Sequence, residues 1–140
     1  MNENDDRFQY WLIDMHDAIQ RFKSGVDLGY RESLDMSHGS LVRFEEILLA
    51  RYPSPAAARS GEQAAYIDGA ARYVGETFRL HLGGKWFIDN VDESNVFFGI
   101  PQLKGLKGQM AQLCPLTLVT ATLDRRRGDY LFAIMENFIK

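Results

Sequence analysis

Residues 60–90 read SGEQAAYIDGAARYVGETFRLHLGGKWFIDN, and the fold turns on them: one long helix, a glycine stop and a strand. Ser60 followed by Gln63 makes a capping-box pattern, in which the hydroxyl accepts from a first-turn amide and the glutamine reaches back to the cap amide. Gly83-Gly84 closes the other end, where a residue without Cβ takes the left-handed turn that stops helices. Placed at 100° per step, Ile67, Ala70, Ala71, Val74, Phe78 and Leu82 share one side, flanked by Tyr66, Tyr73 and Leu80. Asp68, Arg72, Glu76 and Arg79 fall in one narrow sector opposite. A helix apolar around most of its circumference is covered by neighbours on several sides, so this is the expected core helix.

Gly69 and Gly75 each cost roughly 1 kcal/mol against alanine inside a helix. Their expected purpose is to let another segment approach closely. The polar stripe alternates in sign, Asp68 with Arg72 and Glu76 with Arg79, each pair worth about 0.2–0.5 kcal/mol. The expectation is a solvated edge with charge pairing. The functional alternative is that its Glu76 and Arg79 end borders a cleft. His81, nearer the apolar arc, is expected to be a packed residue with one hydrogen bond or a last-turn cap.

Tyr73-Val74-Gly75-Glu76, then Arg79, then Gly83-Gly84-Lys85-Trp86, resemble a YxGExxRxxxGGxW signature. It belongs to small, mostly uncharacterised bacterial domains, some of them immunity proteins found beside toxin genes. The likeness implies no catalytic residues.

The chain has 140 residues, enough for one domain (1–140) with a real core. Hydrophobic content of 46% and charged content of 25% are ordinary for a soluble globular protein. A net charge of −3 argues against a general nucleic-acid binder, which would carry a basic field. Cys114 is the only cysteine, so no intrachain disulfide forms and nothing calls for an oxidising compartment. The polar, acidic start MNENDDRF is unlike a signal peptide, and no apolar run reaches the length of a membrane span. The expected setting is cytoplasmic, away from membranes.

Residues 5–23 are expected to form one amphipathic helix, with Phe8, Trp11, Leu12, Met15, Ala18, Ile19 and Phe22 recurring at three and four. Asp14, His16 and Asp17 point in different directions around it, which argues against a joint metal site. After a loop over Val26 to Glu32, a second helix starts at Ser33 or Ser37 and runs to Arg51. Leu41, Phe44, Leu48 and Tyr52 mark its buried face; Glu45 and Glu46 are assigned to water. Asp35 and His38 are read as helix-start residues rather than catalytic ones. Ser54-Pro55 opens one short turn through Ala58.

From Lys85 the period changes to that of a strand. Asp89 to Asn95 is a turn rich in side-chain acceptors, without the glycine and terminal glutamate of a calcium loop. A second strand is expected over Val96 to Ile100, ending at Pro101, and a third near Gln109 to Leu113. Residues 115–124 fit a strand by propensity and a helix by pattern; proline at the first position favours the helix. Arg125, Arg126 and Arg127 sit where cations complement its C-terminus. Asp129 is the expected cap of a last helix over Tyr130 to Phe138.

The expected architecture is α+β: three N-terminal helices, a small antiparallel sheet of about three strands and two C-terminal helices. The chain has no P-loop, GxGxxG, HExxH, CxxC or GxSxG motif, so neither cofactor, metal nor catalytic residue is assigned. The expected function is a non-enzymatic protein-binding module, and the resemblance implies an immunity-type inhibitor of a toxin. Its partner-binding candidates are Glu76, Arg79, Asp89, Asp92 and Glu93, whose carboxylates suit a basic partner. The alternative from a different class is a small hydrolase or transferase with a cleft lined by Glu76, Arg79 and His81.

Overall fold

A computed structural model of the chain describes residues 3–107 and 112–139. The structure is mostly helical, with a small two-stranded antiparallel sheet set between helices. In order, the elements are α1 (Glu3–Ile13), α2 (Met15–Ser24), α3 (Leu28–Arg31), α4 (Ser40–Arg51), α5 (Pro55–Ala58) and α6 (Ala64–Leu82). Then follow β1 (Lys85–Phe87), β2 (Gln102–Lys104), α7 (Pro115–Arg125) and α8 (Tyr130–Ile139).

The central helix forms where the pattern placed it. Ser60 Oγ accepts from the Glu62 amide at 3.4 Å, opening a short 3-10 turn that leads into α6. Gln63 does not close the capping box; its Oε1 accepts from the Tyr52 hydroxyl at 2.6 Å and so ties α4 to α6. Gly83 ends the helix with φ of 74°. Ala70, Tyr73, Val74 and Phe78 are fully buried, and α2, α7 and α8 pack around α6. Gly69 is the place where α2 touches: a Cβ there would stand 2.6 Å from Phe22 Cβ.

The expected first helix is two. The break falls at Asp14 (φ −81°, ψ 2°), whose carboxylate pairs with Arg21 at 2.5 Å. Aspartate within a helix competes for local hydrogen bonds and weakens the run. The bend lets Trp11 of α1 and Phe22 of α2 both reach α6. The stretch read as a loop before α4 holds the one-turn helix α3. Of the two expected starts, Ser33 and Ser37, it is Ser37 whose hydroxyl accepts from a helix-start amide, that of Ser40 at 3.1 Å.

The sheet has two strands among the described residues rather than about three, with Trp86 opposite Leu103. Val96 to Ile100 is a succession of turns, because the amides of Phe97, Phe98, Gly99 and Ile100 are all taken within the loop, the first by a side chain and the others by backbone carbonyls. Asp89 Oδ1 accepts from the Val91 and Asp92 amides, both at 3.0 Å, and Asn95 Oδ1 from Phe97 at 2.9 Å. The Gly99 amide then donates to Asp89 O at 2.8 Å, which closes the loop. Most of the expected third strand lies outside the described residues; Leu113, its last member, makes an isolated antiparallel bridge to Leu103.

Two long-range caps finish the C-terminal half. Glu45, assigned to water from the helix pattern, is fully buried. Its Oε2 accepts from the amides of Gly128 at 2.6 Å and Tyr130 at 3.2 Å, and Oε1 from Leu131 at 3.1 Å. It therefore satisfies the first two free donors of α8 and the Gly128 amide just before it, and Asp129, the expected cap, pairs with Arg127 instead. Arg126, in the left-handed region at φ 51°, donates to Leu49 O and Tyr52 O, both at 3.0 Å. Its guanidinium thus satisfies carbonyls at the end of α4 and, through Nη1 at 3.4 Å, Leu123 O in the last turn of its own helix, as expected.

Candidate functional site

The polar stripe of α6 is a docking seam rather than a solvated edge. Arg72 is 3% exposed. Its Nε donates to Asp68 at 2.7 Å, its Nη1 to Trp11 O at 2.7 Å, and its guanidinium carbon lies 4.1 Å from the Trp11 ring centroid. Trp11 Nε1 donates to the other oxygen of Asp68 at 3.0 Å. The unit repeats two turns on: Trp86 Nε1 donates to Glu76 Oε1 at 2.8 Å, and Arg79 forks onto both oxygens at 3.1 and 3.0 Å. The two indoles meet edge to face, centroids 4.9 Å apart. Each tryptophan so finds the acceptor that a buried indole N–H requires.

Gly75 lies beneath the second indole. A Cβ on it would collide with Trp86 Cη2 and Cζ2 and stand 3.0 Å from Pro115 Cγ. Gly75, Glu76, Arg79 and Trp86 are therefore one contact set, and Tyr73, in the same stretch, hydrogen-bonds Ser40 Oγ at 2.7 Å and the Met36 amide at 3.1 Å.

Burial pushes the Glu76 carboxyl up, but the bonds from Arg79 and Trp86 more than offset it and hold the group below its ordinary value. A depressed carboxyl stabilises the fold above its unfolded value, near 4.5, and that contribution is lost as the pH falls through the lower folded value. Thermal melts of wild type and Glu76→Gln are expected to diverge above that range and converge in acid. Parallel curves from neutral pH to pH ~3 would remove Glu76 from this role.

The Glu76 and Arg79 end of the stripe borders an open groove of about 700 Å³ between α1, α2, the end of α6 and β1. Leu12, Met15, Ile19, Met36 and Trp86 give it apolar walls, and His16, Lys23 and Lys85 join Glu76 and Arg79 as its polar lining. His81 is not part of it. That imidazole is exposed and bonds through Nε2 to Met36 O at 2.9 Å. Asp35 Oδ1 accepts from the Ser37 amide at 3.0 Å. His38 stacks on Phe132 at 3.9 Å, with Nε2 3.1 Å from its carbonyl.

Asp89, Asp92 and Glu93 lie apart from this groove, on the loop 88–100. Asp89 is the loop's anchor: its Oδ2 also accepts from Asn95 Nδ2 at 3.0 Å. Backbone bonds from Asp92 and Val91, then the Asn95 side chain, hold its carboxyl below the usual range. Asp92 Oδ1 accepts from the Ser94 amide and hydroxyl, while Glu93 is exposed. What the sequence reading missed on this loop is its apolar display. Val91 is 90% exposed and Val96 80%, with Phe98 beside them partly open. Two valines within an acceptor-rich turn were the available signal, and Val96 was read as strand.

Among the described residues, no group of three His, Cys, Asp or Glu gathers as metal ligands, and no helix is long and apolar enough to cross a membrane. Cys114 is buried, its Sγ 3.8 Å from Pro101 O. Comparison with protein-family models, with curated proteins and with solved structures finds no match to this chain.

Proposed function

We propose that the domain is a non-enzymatic protein-binding module of the immunity type, and that the loop 88–100 is the part that meets its partner. The observation that carries this reading is Val91 and Val96, 90% and 80% exposed on a loop pinned at Asp89. Large apolar side chains on a preformed loop bind with little ordering cost. Asp92 and Glu93 beside them add negative charge, which suits a basic partner such as the active-site groove of a nucleic-acid-cleaving toxin. Glu76 supports the partner surface indirectly: bonded on both oxygens, it holds Trp86 and so the strand from which the loop departs.

The roles of Asp89 and Glu93 separate in a binding experiment against a basic, toxin-like protein captured by pull-down with this domain. Val91→Ser with Val96→Ser, and Glu93→Lys alone, are expected to weaken association by about tenfold or more with an unchanged melting temperature. Asp89→Ala is expected to weaken it through the loop, with faster amide exchange at Val91 and Asp92. Affinity indifferent to the valine pair and to Glu93 would place the binding surface elsewhere.

A further inference from the structure

The groove at the end of α6 carries a charge opposite to that of the chain around it. Its lining holds three fixed cations, Lys23, Arg79 and Lys85, against one carboxylate, Glu76, a surplus of two positive charges in a protein of net charge −3. The three cations come from three different elements, α2, α6 and β1, so the convergence belongs to the fold and not to a run in the sequence. The one carboxylate is turned inward, with both oxygens occupied by Arg79 and one of them also by the Trp86 indole. Arg79 spends Nε and Nη2 on it, and its side chain is 40% exposed. Lys23 lies 5.9 Å from the Tyr73 ring centroid and feels the charge of Asp35, which lies outside the lining. The field into the groove is thus set chiefly by Lys85 and Arg79.

Beneath these cations the walls are apolar, and two of them are methionines, Met15 and Met36, whose side chains adapt to the shape set against them. A volume of about 700 Å³ lies within the range of small-molecule sites, which pair apolar walls with a few placed polar groups. The geometry points to a binding site for a small organic anion with an apolar body, such as an aromatic carboxylate or sulfonate, its charge at Lys85 and Arg79 and its body on Trp86, Met15 and Met36. This site is separate from the loop 88–100 and does not depend on the reading given to that loop.

The probe for it is anilinonaphthalene sulfonate, followed by its own fluorescence and by quenching of the tryptophans, with neutral phenylnaphthylamine as control and naphthoate as competitor. The expected result is one saturable site, displaced by naphthoate and weakened by salt. The neutral control is expected to bind at least about tenfold less tightly. Lys85→Glu and Lys23→Glu, both with unchanged melting, are each expected to weaken the sulfonate, and Lys85→Arg to retain it. If one reversal fails to fold, the other reversal and the salt dependence still decide. Equal binding of the neutral control, affinity indifferent to the charge reversals, or no saturable binding below millimolar probe would each overturn the proposal.

Discussion

Glu45→Ala is expected to destabilise the fold by about 3–5 kcal/mol, because three backbone donors, one buried and two half-buried, would lose one buried charged acceptor. The amides of Gly128, Tyr130 and Leu131 all point at this carboxylate, and nothing else on α4 replaces it. The loss is concentrated where α8 joins the core, since Leu131 and Met135 are fully buried there. Denaturant unfolding measures the total, and amide exchange along α8 locates it. Glu45→Gln keeps one carbonyl oxygen and adds an amide that opposes the remaining donor, so its expected cost is smaller, about 1–2 kcal/mol. Glu46→Ala, one residue on and exposed, is the internal control and is expected within about 0.5 kcal/mol of wild type. A Glu45→Ala protein as stable as that control would mean that solvent replaces the cap.

The second large effect is at Gly75, and its sign depends on Trp86. In the wild-type background Gly75→Ala drives a methyl into the indole, with an expected cost of about 1–3 kcal/mol, and Gly75→Leu more. Trp86→Ala alone is expected to cost about 3–5 kcal/mol, through the cavity it leaves and the hydrogen bond it removes from Glu76. Once the indole is gone, the nearest of the named contacts left to the methyl at 75 is Pro115 Cγ at 3.0 Å, which a shift of a few tenths of an ångström into the vacated space relieves. Helix propensity, worth about 1 kcal/mol in favour of alanine, then dominates. Gly75→Ala in the Trp86→Ala background is therefore expected to be neutral or stabilising. A full double-mutant cycle reads this as a coupling of more than about 1 kcal/mol. Additive effects would show that glycine at 75 serves something other than the indole.

These two sites mark how far the sequence could be read. Gly75 was legible as a place of close approach, because a glycine inside a helix carries a local cost that some contact must offset. Which ring approached was not, since Trp86 folds back from a strand whose direction the glycine stop alone does not set. Glu45 was misread for the opposite reason. A charged residue on an amphipathic helix is solvated unless something buried needs it, and the need here is three amides more than eighty residues away in sequence. The candidate groups divided in the same manner. The acids of the loop were visible as acceptors, but the turn they form, and with it the exposure of Val91 and Val96, appeared only once their partners were known. Lys23 and Lys85 gave no signal at all, because a surface lysine is the commonest residue to ignore.

By itself, then, the sequence determined what is local: the span of α6 up to Gly83, the short helix after Ser54, the helix beginning at Pro115, the strand at Lys85 and most of the buried face of α6, from which Leu80 departs at 62% exposure. Helical periodicity, caps and glycine stops act within a few residues, so they survive reading in one dimension. Only the tertiary structure decided the break at Asp14, the turns that replaced a strand at Val96, the bonding of the Asp68–Arg79 stripe to two tryptophans, and the convergence of Lys23, Arg79 and Lys85. In each of these a polar group could bond to its neighbours, to water or to a distant segment, and these alternatives are close in energy at the level of the chain. Packing removes the water, and the partner that remains within reach is the one that the fold brings there.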